Sequence, residues 1–251
     1  SNIITTNTFG INRDKYVNYE EMIVSAVNCA KKAREGKDNV FIALDIGPTG
    51  RMLKPLGDLE FEDAYDLFRA NICAAKEEVD LIIIETMNDS YETKAAVLAA
   101  KECCDLPVFV SNAFGEDGKL MTGASPAAMV AMLEGMGADA IGVNCSLGPK
   151  ALAPIVEQYL EKASVPVLLK PNAGLPRAAE SKTFYDVWPE EFAADITGLI
   201  QKGVRIAGGC CGTTPGHIAA LTRAADFEPL PLTAKNHTMV SSYTHAVIFG
   251  E

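Results

Sequence analysis

Residues 140–174 read AIGVNCSLGPKALAPIVEQYLEKASVPVLLKPNAG and hold a complete strand–helix–strand unit. Two short apolar runs, at 140–143 and 165–169, stand on either side of an amphipathic stretch over about 149–163. Runs that are short, rich in β-branched residues and apolar on both faces are typical of buried parallel strands. This stretch therefore predicts one βαβ unit of an α/β protein.

The same alternation continues in both directions along the chain. Five further apolar runs predict strands at 3–5, 40–44, 81–84, 108–110 and 204–207. Amphipathic stretches predict further helices over about 14–36, 60–78, 90–104, 126–137, 189–202 and 215–225. Ser125-Pro126 and Thr214-Pro215 each place a capping hydroxyl before a proline, which is a usual start of a helix. Seven strands that alternate with helices indicate an α/β fold.

Two α/β architectures fit this alternation, an open doubly wound sheet and a (βα)8 barrel of the TIM type. The open sheet usually carries a G-x-G-x-x-G turn after its first strand, and no such motif occurs in the chain. A length of 251 residues also suits one barrel. We therefore predict a barrel, although the seven predicted strands are one fewer than a closed barrel needs.

The overall composition excludes several classes of protein. Hydrophobic residues make up 48% of the chain, which is enough for a large core and rules out wholesale disorder. A net charge of −11 disfavours nucleic acids and anionic membranes as partners. No apolar run is long enough to span a bilayer and no leader is present, so we expect a cytoplasmic protein. The seven cysteines lack the spacing of a disulfide scaffold, and we expect reduced thiols.

Three cysteines that follow predicted strands are candidate metal ligands. In a parallel barrel the carboxyl ends of the strands form the active site, and Cys145 and the Cys210-Cys211 pair lie at such ends. Glycines flank the pair on both sides, so the backbone can leave the strand geometry and turn both sulfurs to one point. Three thiolates favour Zn²⁺ and leave a fourth position open, as in catalytic zinc sites.

Other interpretations of these thiols and glycines remain open. Cysteine is often a small buried hydrophobe, and we interpret Cys29, Cys73 and the Cys103-Cys104 pair as structural residues on predicted helices. Gly208-Gly209 after a late strand is also a common phosphate cradle. The competing functions are therefore a phosphate-binding barrel enzyme and a non-catalytic, zinc-stabilised barrel module.

Carboxylates and amides at the same strand ends are candidate substrate contacts. Glu85 ends an apolar strand, where it could bind a substrate ammonium or complement a helix dipole. Asp45 presents the same choice beside a Gly-Pro turn, and Asn144 directly precedes the first candidate metal ligand. Asn172 fits a tight turn and could also contact the polar end of an amino acid.

Two motifs resemble those of a known family. The sequence GGCCGTTP at 208–215, together with GVNCS at 142–146, is similar to the zinc-dependent homocysteine S-methyltransferases, which include cobalamin-dependent methionine synthases and betaine–homocysteine methyltransferases. Further segments that look like strand-end motifs of this family are TNTFG at 6–10, DIGPTG at 45–50, ET at 85–86 and PNAG at 171–174. The resemblance covers residues 3 to about 226.

The resemblance implies a (βα)8 barrel in which Cys145, Cys210 and Cys211 bind Zn²⁺. It also implies that homocysteine, held as a thiolate at zinc, accepts a methyl group to form methionine, and that Glu85 and Asn172 bind its amino-acid end. Methylcobalamin carried by another domain is the expected methyl donor, with betaine-type and S-methylmethionine-type reactions as alternatives. No catalytic side chain is expected beyond the zinc-activated thiolate of the substrate.

The resemblance also sets expectations for both ends of the chain. The family begins with a strand and a substrate-contacting loop that have no counterpart in this sequence, so we expect a barrel that lacks its first βα unit and binds homocysteine weakly by itself. We assign 1–227 to the barrel domain and 228–251 to an irregular tail or linker toward a possible pterin-binding domain. Pterin- and cobalamin-binding domains, on this or a companion chain, are the expected partners.

Overall fold

A computed structural model describes residues 1–179, 182–225 and 228–249 of the chain. Its elements, in chain order, are β1 (Ile3–Thr5), α1 (Tyr19–Arg34), β2 (Phe41–Ile46), α2 (Phe61–Cys73), β3 (Leu81–Met87), α3 (Ser90–Cys103), β4 (Val108–Asn112), α4 (Pro126–Gly135), β5 (Ala140–Asn144), α5 (Pro149–Lys162), β6 (Val167–Lys170), β7 (Arg177–Ala179), β8 (Lys182–Phe184), α6 (Pro189–Ile200), β9 (Val204–Ala207), α7 (Pro215–Ala224), β10 (Thr238–Ser241) and β11 (Ala246–Phe249). In these ranges no helix has the length and apolar character that crossing a membrane requires.

Seven strands form one sheet in the order β1-β2-β3-β4-β5-β6-β9. Every neighbouring pair is parallel, and a helix lies between successive strands along the chain. A doubly wound sheet would reverse its strand order at a switch point, which this sheet does not do. Among the described strands β1 and β9 are the two edges of the sheet. The predicted TIM-type (βα) architecture, one unit short of eight, is therefore confirmed.

All seven predicted strands are present, and the main difference concerns the end of β3. This strand continues to Met87 instead of ending at residue 84, and its ladder with β4 shifts register between Ile84 and Met87. Thr86 in this bulge has a φ of 61°, in the left-handed region that a threonine rarely adopts. The irregular backbone thus coincides with the strand end that carries Glu85.

The main core fills the space between the sheet and the helices. Ile82, Ile84 and Val110 on the strands are fully buried, and α3 turns an alanine face to the core, comprising Ala95, Ala96, Ala99 and Ala100. Two packing assignments from the sequence are wrong, because Cys29 and Cys73 are exposed on the outer sides of their helices. The Cys103-Cys104 pair is half-buried and packs against the core, as expected.

The segment after residue 228 contains more regular structure than its polar composition predicts. Strands β10 and β11 form an antiparallel hairpin that packs against α4, and Met239 contacts the main core. The Tyr243 ring lies 4.5 Å from that of Tyr91, and its hydroxyl donates a hydrogen bond to Asp89 at 3.0 Å. In β11 half-buried and exposed residues alternate, and in β10 Met239 is the half-buried residue, so one face of the hairpin lies against the protein. The proposed boundary at 227 and the final pair Gly250-Glu251 lie outside the described residues.

Candidate metal centre

Three cysteine thiols converge at the carboxyl ends of the strands. Cys145 directly follows β5, and Cys210 and Cys211 follow β9 in the next loop. The Cys145 and Cys211 sulfurs are 3.7 Å apart, those of Cys210 and Cys211 are 4.0 Å apart, and all three lie within 4.8 Å of one another. The structure therefore brings together the three cysteines that the sequence analysis placed at one site, and the cluster could hold a metal ion.

Unusual backbone geometry makes this convergence possible. Cys145 and Ser146 have φ values of 61° and 59°, so the chain turns sharply as it leaves β5. In the other loop Gly212 has a φ of 78°, and a Cβ atom on it would lie 2.2 Å from the Tyr185 ring. These conformations take both loops out of the strand geometry, in which adjacent side chains would point to opposite faces.

The side chain of Asn144 links three strand ends by hydrogen bonds. Its Oδ1 accepts hydrogen bonds from the Thr86 backbone N–H and the Ser111 hydroxyl, both at 2.8 Å. Its Nδ2 donates to the Thr86 hydroxyl at 2.7 Å and faces the Cys210 sulfur at 3.8 Å. Because Asn144 is fully buried, this network links the ends of β3, β4 and β5 to the thiol cluster. The sequence analysis quoted Thr86 within the strand-end segment 85–86 but assigned no role to Thr86 or Ser111, since neither forms part of a recognisable metal motif.

Residues at the end of β6 form hydrogen bonds with the backbone of both cysteine loops. The Cys145 N–H donates to the Lys170 carbonyl at 3.0 Å, and the Cys210 N–H donates to the Pro171 carbonyl at 2.9 Å. The Asn172 Oδ1 accepts the Cys211 N–H at 3.1 Å. The segment that the sequence analysis singled out as a turn thus orients the backbone of all three cysteines.

The three thiols do not share one acidity. A hydrogen bond from Cys210, with smaller contributions from the Ser146 N–H, Cys211 and Asn172, lowers the pKa of Cys145 to about 6 against the opposing effect of burial. The hydrogen bond to Cys145 and burial raise the pKa of Cys210, and burial raises that of Cys211. The cluster by itself therefore stabilises one thiolate, and three thiolates together would need a bound cation.

The donor set fits a tetrahedral thiophilic ion. Zinc–sulfur bonds of about 2.3 Å in a tetrahedron place neighbouring sulfurs about 3.8 Å apart. The two short sulfur–sulfur separations bracket this value. Three sulfurs supply three ligands, and Cys211 is exposed, so a fourth position can face solvent. Thiolates select zinc over the hard cations that prefer oxygen.

A buried charged cluster lies at neighbouring strand ends. Glu85 and Lys170 form an ion pair whose side chains are 12% and 15% exposed. Burial, and secondarily the Glu85 carboxylate, raise the pKa of Asp45 to about 8, although Lys170 opposes the shift. The Asp45 Oδ1 is buried and accepts no hydrogen bond among the described residues. Lys170 was missed from the sequence because it directly follows an apolar run and belongs to no charged motif.

Tyr185 is a further neighbour of the thiols that sequence reasoning missed. It follows the small β7–β8 hairpin and approaches Gly212 so closely that only glycine fits there. Partial burial, and then the nearby Cys211, raise the pKa of Tyr185. No sequence signal would have found this residue, because the hairpin that carries it lies between predicted elements.

Comparison with known proteins places these observations in context. Residues 1–225 match the sequence profile of a family described as homocysteine S-methyltransferase. The chain is 30% identical over 247 residues to methionine synthase of Mycobacterium leprae, which covers 90% of this chain and 20% of that protein. It is 29% identical over 268 residues to methionine synthase of Mycobacterium tuberculosis, covering 99% of this chain and 22% of that protein. The chain thus spans about a fifth of the length of these relatives.

A solved structure shares the fold. The metallated form of the homocysteine methyltransferase MmuM from Escherichia coli matches with a TM-score of 0.74 and 20% identity. The match covers 89% of this chain and 79% of that one. At this level of identity the likeness supports the barrel architecture alone.

Proposed function

The chain belongs to the homocysteine S-methyltransferase family, and on that premise we propose that it prepares homocysteine to accept a methyl group, which yields methionine. The observation that carries this proposal is the convergence of three cysteine sulfurs within 4.8 Å at the carboxyl ends of the strands. In the reaction the sulfur of homocysteine forms a bond to the methyl carbon while the bond between that carbon and its donor breaks. The thiol proton is released before transfer.

Cys145, Cys210 and Cys211 would hold a Zn²⁺ ion through their sulfurs. A zinc ion bound there would supply the Lewis acidity that lets a substrate thiol lose its proton at neutral pH. Asn144 and Asn172 position the loops that carry the three ligands, through the hydrogen bonds to Thr86, Ser111 and the Cys211 backbone. No other general base is needed at the sulfur.

The charged cluster beside the thiols would bind the amino-acid end of homocysteine. We assign the substrate ammonium to Glu85, which is already oriented by its ion pair with Lys170. Asp45 would contact the same end of the substrate, since its buried Oδ1 has no hydrogen-bond partner in the described part of the chain. The side chains of Asn144 and Asn172 are engaged inside the protein, so we assign them to positioning of the site as well as to its lining.

The methionine synthases among the relatives support a proposal for the methyl donor and the partners. We propose methylcobalamin, carried by another domain, as the donor, with pterin- and cobalamin-binding domains as partners on the same or a companion chain. The fivefold greater length of those relatives supports this arrangement. In it, 1–227 is the homocysteine-binding domain, 228–251 leads toward the next domain, and the protein is cytoplasmic.

Proton release on substrate binding is the most direct test of this function. We expect the zinc-loaded chain to release about one proton per bound homocysteine in weakly buffered calorimetry, because coordination replaces the thiol proton. The metal-depleted chain is the control and should release none. With methylcobalamin added, mass spectrometry should detect methionine.

Two results would overturn the proposal. Zinc binding without proton release at saturating homocysteine would favour a zinc-stabilised module without catalytic function. Absence of bound zinc, together with binding of inorganic phosphate that depends on Gly208-Gly209, would favour the phosphate-binding alternative.

A further inference from the structure

A second pair of thiols lies far from the metal centre. Cys73 is the last residue of α2 and Cys103 is the last residue of α3, and their sulfurs are 3.9 Å apart. The carboxyl ends of these helices lead into the amino ends of β3 and β4, so the pair lies at the opposite end of the sheet from the triad. We call these two residues the surface dithiol.

We propose that the surface dithiol is a redox modification site, at which Cys73 and Cys103 form a reversible disulfide by exchange with a low-molecular-weight disulfide such as oxidised glutathione. The inference is independent of the metal centre, because neither residue contacts the triad. It uses only the geometry of two adjacent helix ends and the exposure of one of the thiols.

The packing of α2 on α3 supports the pairing. Helices α2 and α3 pack against each other, and each ends at one member of the pair. A disulfide needs a sulfur–sulfur distance of about 2.05 Å, so the sulfurs must approach by about 2 Å from their present separation. Cys73 is exposed at a helix end, and a change of its rotamer meets little obstruction.

The adjacent thiol of Cys104 is less suited to this role. Its sulfur donates a hydrogen bond to the Ala100 carbonyl of α3 at 3.5 Å. The Cys103 sulfur, in contrast, faces the Cys73 sulfur at 3.9 Å. The structure therefore distinguishes between two neighbouring cysteines as partners for Cys73.

The exchange proceeds in two balanced steps. The exposed Cys73 thiolate attacks the glutathione disulfide, forms a mixed disulfide and releases one glutathione thiolate. Cys103 then loses its proton and attacks the Cys73 sulfur, which releases the second glutathione. The two cysteines are oxidised by two electrons, one glutathione disulfide is reduced to two glutathiones, and the two cysteine protons end on these products.

The order of attack follows from the surroundings of the two thiols. Burial, and then the hydrogen bond and charge of Cys73, raise the pKa of Cys103 to about 11. Cys103 is therefore a poor first nucleophile at neutral pH. Once Cys73 is held in a mixed disulfide, its hydrogen bond and charge no longer oppose ionisation of Cys103, and Cys103 can act as the resolving thiol.

Formation of this disulfide would constrain a segment that reaches the candidate site. The bond would close a loop from residue 73 to 103, which contains β3 with Glu85 at its carboxyl end. Oxidation at the amino end of the sheet would thus tie together the two helices that precede and follow this strand.

Peptide mapping tests the proposal directly. The full chain is incubated with oxidised glutathione, denatured, alkylated and digested with trypsin. We expect a cross-link between peptide 70–76, which contains Cys73, and peptide 102–119, in which Cys104 is alkylated. Dithiothreitol should remove the cross-link. The cysteines of the triad lie on other tryptic peptides, 120–150 and 206–223, and do not interfere.

Matched variants make the outcome decisive. Cys73→Ser should abolish the cross-link, whereas Cys104→Ser and Cys29→Ser should retain it. Three outcomes would overturn the proposal: a Cys103–Cys104 bond within one peptide, a bond from Cys73 to Cys104, or glutathione that remains attached to Cys73 without cross-linking.

Discussion

Acidic side chains at the two ends of the sheet have different surroundings. At the amino ends of the strands, Asp80 and Asp139 each accept a backbone N–H from the neighbouring strand, Ile42 at 2.7 Å and Val108 at 2.8 Å. Each also pairs with a basic side chain near the surface. At the carboxyl ends, Asp45 and Glu85 are buried, and one oxygen of Asp45 has no hydrogen-bond partner among the described residues.

One thiol at the carboxyl end, Cys145, differs from Cys103 at the amino end in the acidity of its side chain. In the triad, hydrogen-bond donors surround Cys145 and lower its pKa to about 6. In the surface dithiol, burial and the neighbouring thiol raise the pKa of Cys103 to about 11. The functional group is the same, so the difference comes from the surroundings. The two aspartates at the amino end are paired within the protein, whereas at the carboxyl end one Asp45 oxygen has no partner among the described residues and three thiols converge.

Loss of a triad thiol is the largest expected effect and the strongest test of this comparison. Cys211→Ser should lower zinc affinity at least about 100-fold, because a hydroxyl is a poor zinc ligand beside thiolates. Methyl transfer to homocysteine should be lost with the metal. Metal analysis after dialysis measures the first effect and methionine formation the second. Cys73→Ser is the control at the other end and should retain both properties; an equal loss in the two variants would refute the comparison.

Removal of the amide that links the strand ends should have the next largest effect. Asn144→Ala breaks hydrogen bonds to Thr86 and Ser111 and removes the contact with Cys210. We expect zinc affinity to fall by about 10- to 100-fold, as is usual for residues that orient metal ligands. Ser111→Ala removes only one of these bonds and should cost much less. Competition with a chelator of known affinity measures both variants, and an unchanged affinity in Asn144→Ala would show that the backbone alone orients the thiols.

Sequence patterns predicted the strands and helices well. A strand that is buried on both faces is a short run of apolar residues, as at 81–84 and 140–143, and such runs are easily recognised. Sequence patterns also grouped Cys145 with Cys210 and Cys211, since carboxyl ends of parallel strands meet at one edge. They assigned no role to Thr86, Lys170 or Tyr185, which reach the site through a bulge, a long side chain and an inserted hairpin. The outward positions of Cys29 and Cys73 were also missed, because cysteine gives little indication of which helix face it occupies.

The proposed contact between Glu85 and the substrate ammonium should be separable from the metal. Glu85→Gln keeps the size of the side chain but removes the charge that we assign to the homocysteine ammonium. We expect homocysteine to bind about 10-fold more weakly, as the loss of a charge-assisted hydrogen bond implies, with zinc content unchanged. Calorimetry on the zinc-loaded protein measures the affinity. Lys170→Met tests the other half of the ion pair. A loss of zinc in Glu85→Gln would contradict the assignment of Glu85 to the homocysteine ammonium.

The buried carboxyl of Asp45 should make stability depend on pH. Its pKa is raised to about 8 in the folded state from an ordinary 3.8, so between these values the folded state binds the extra proton. Stability should therefore fall as pH rises from about 4 to 8, with a slope of at most ~1.4 kcal/mol per pH unit from this group. Asp45→Asn should flatten that part of the curve in urea unfolding. An unchanged slope would show that Asp45 is ionised in the folded protein.

The smallest effect is expected at the amino end of the sheet. Asp139→Ala removes the acceptor of the Val108 N–H, and this should cost about 1 kcal/mol in the free energy of unfolding. Its ion pair with Lys101 is largely exposed and should add little. Zinc affinity and homocysteine binding should be unchanged, because Asp139 lies at the start of β5 and the triad begins after its end. Urea unfolding and metal titration on the same variant measure both properties. A matched loss of zinc would mean that the two ends of the strand are coupled and that the division of the sheet into a structural end and a ligand-binding end is wrong.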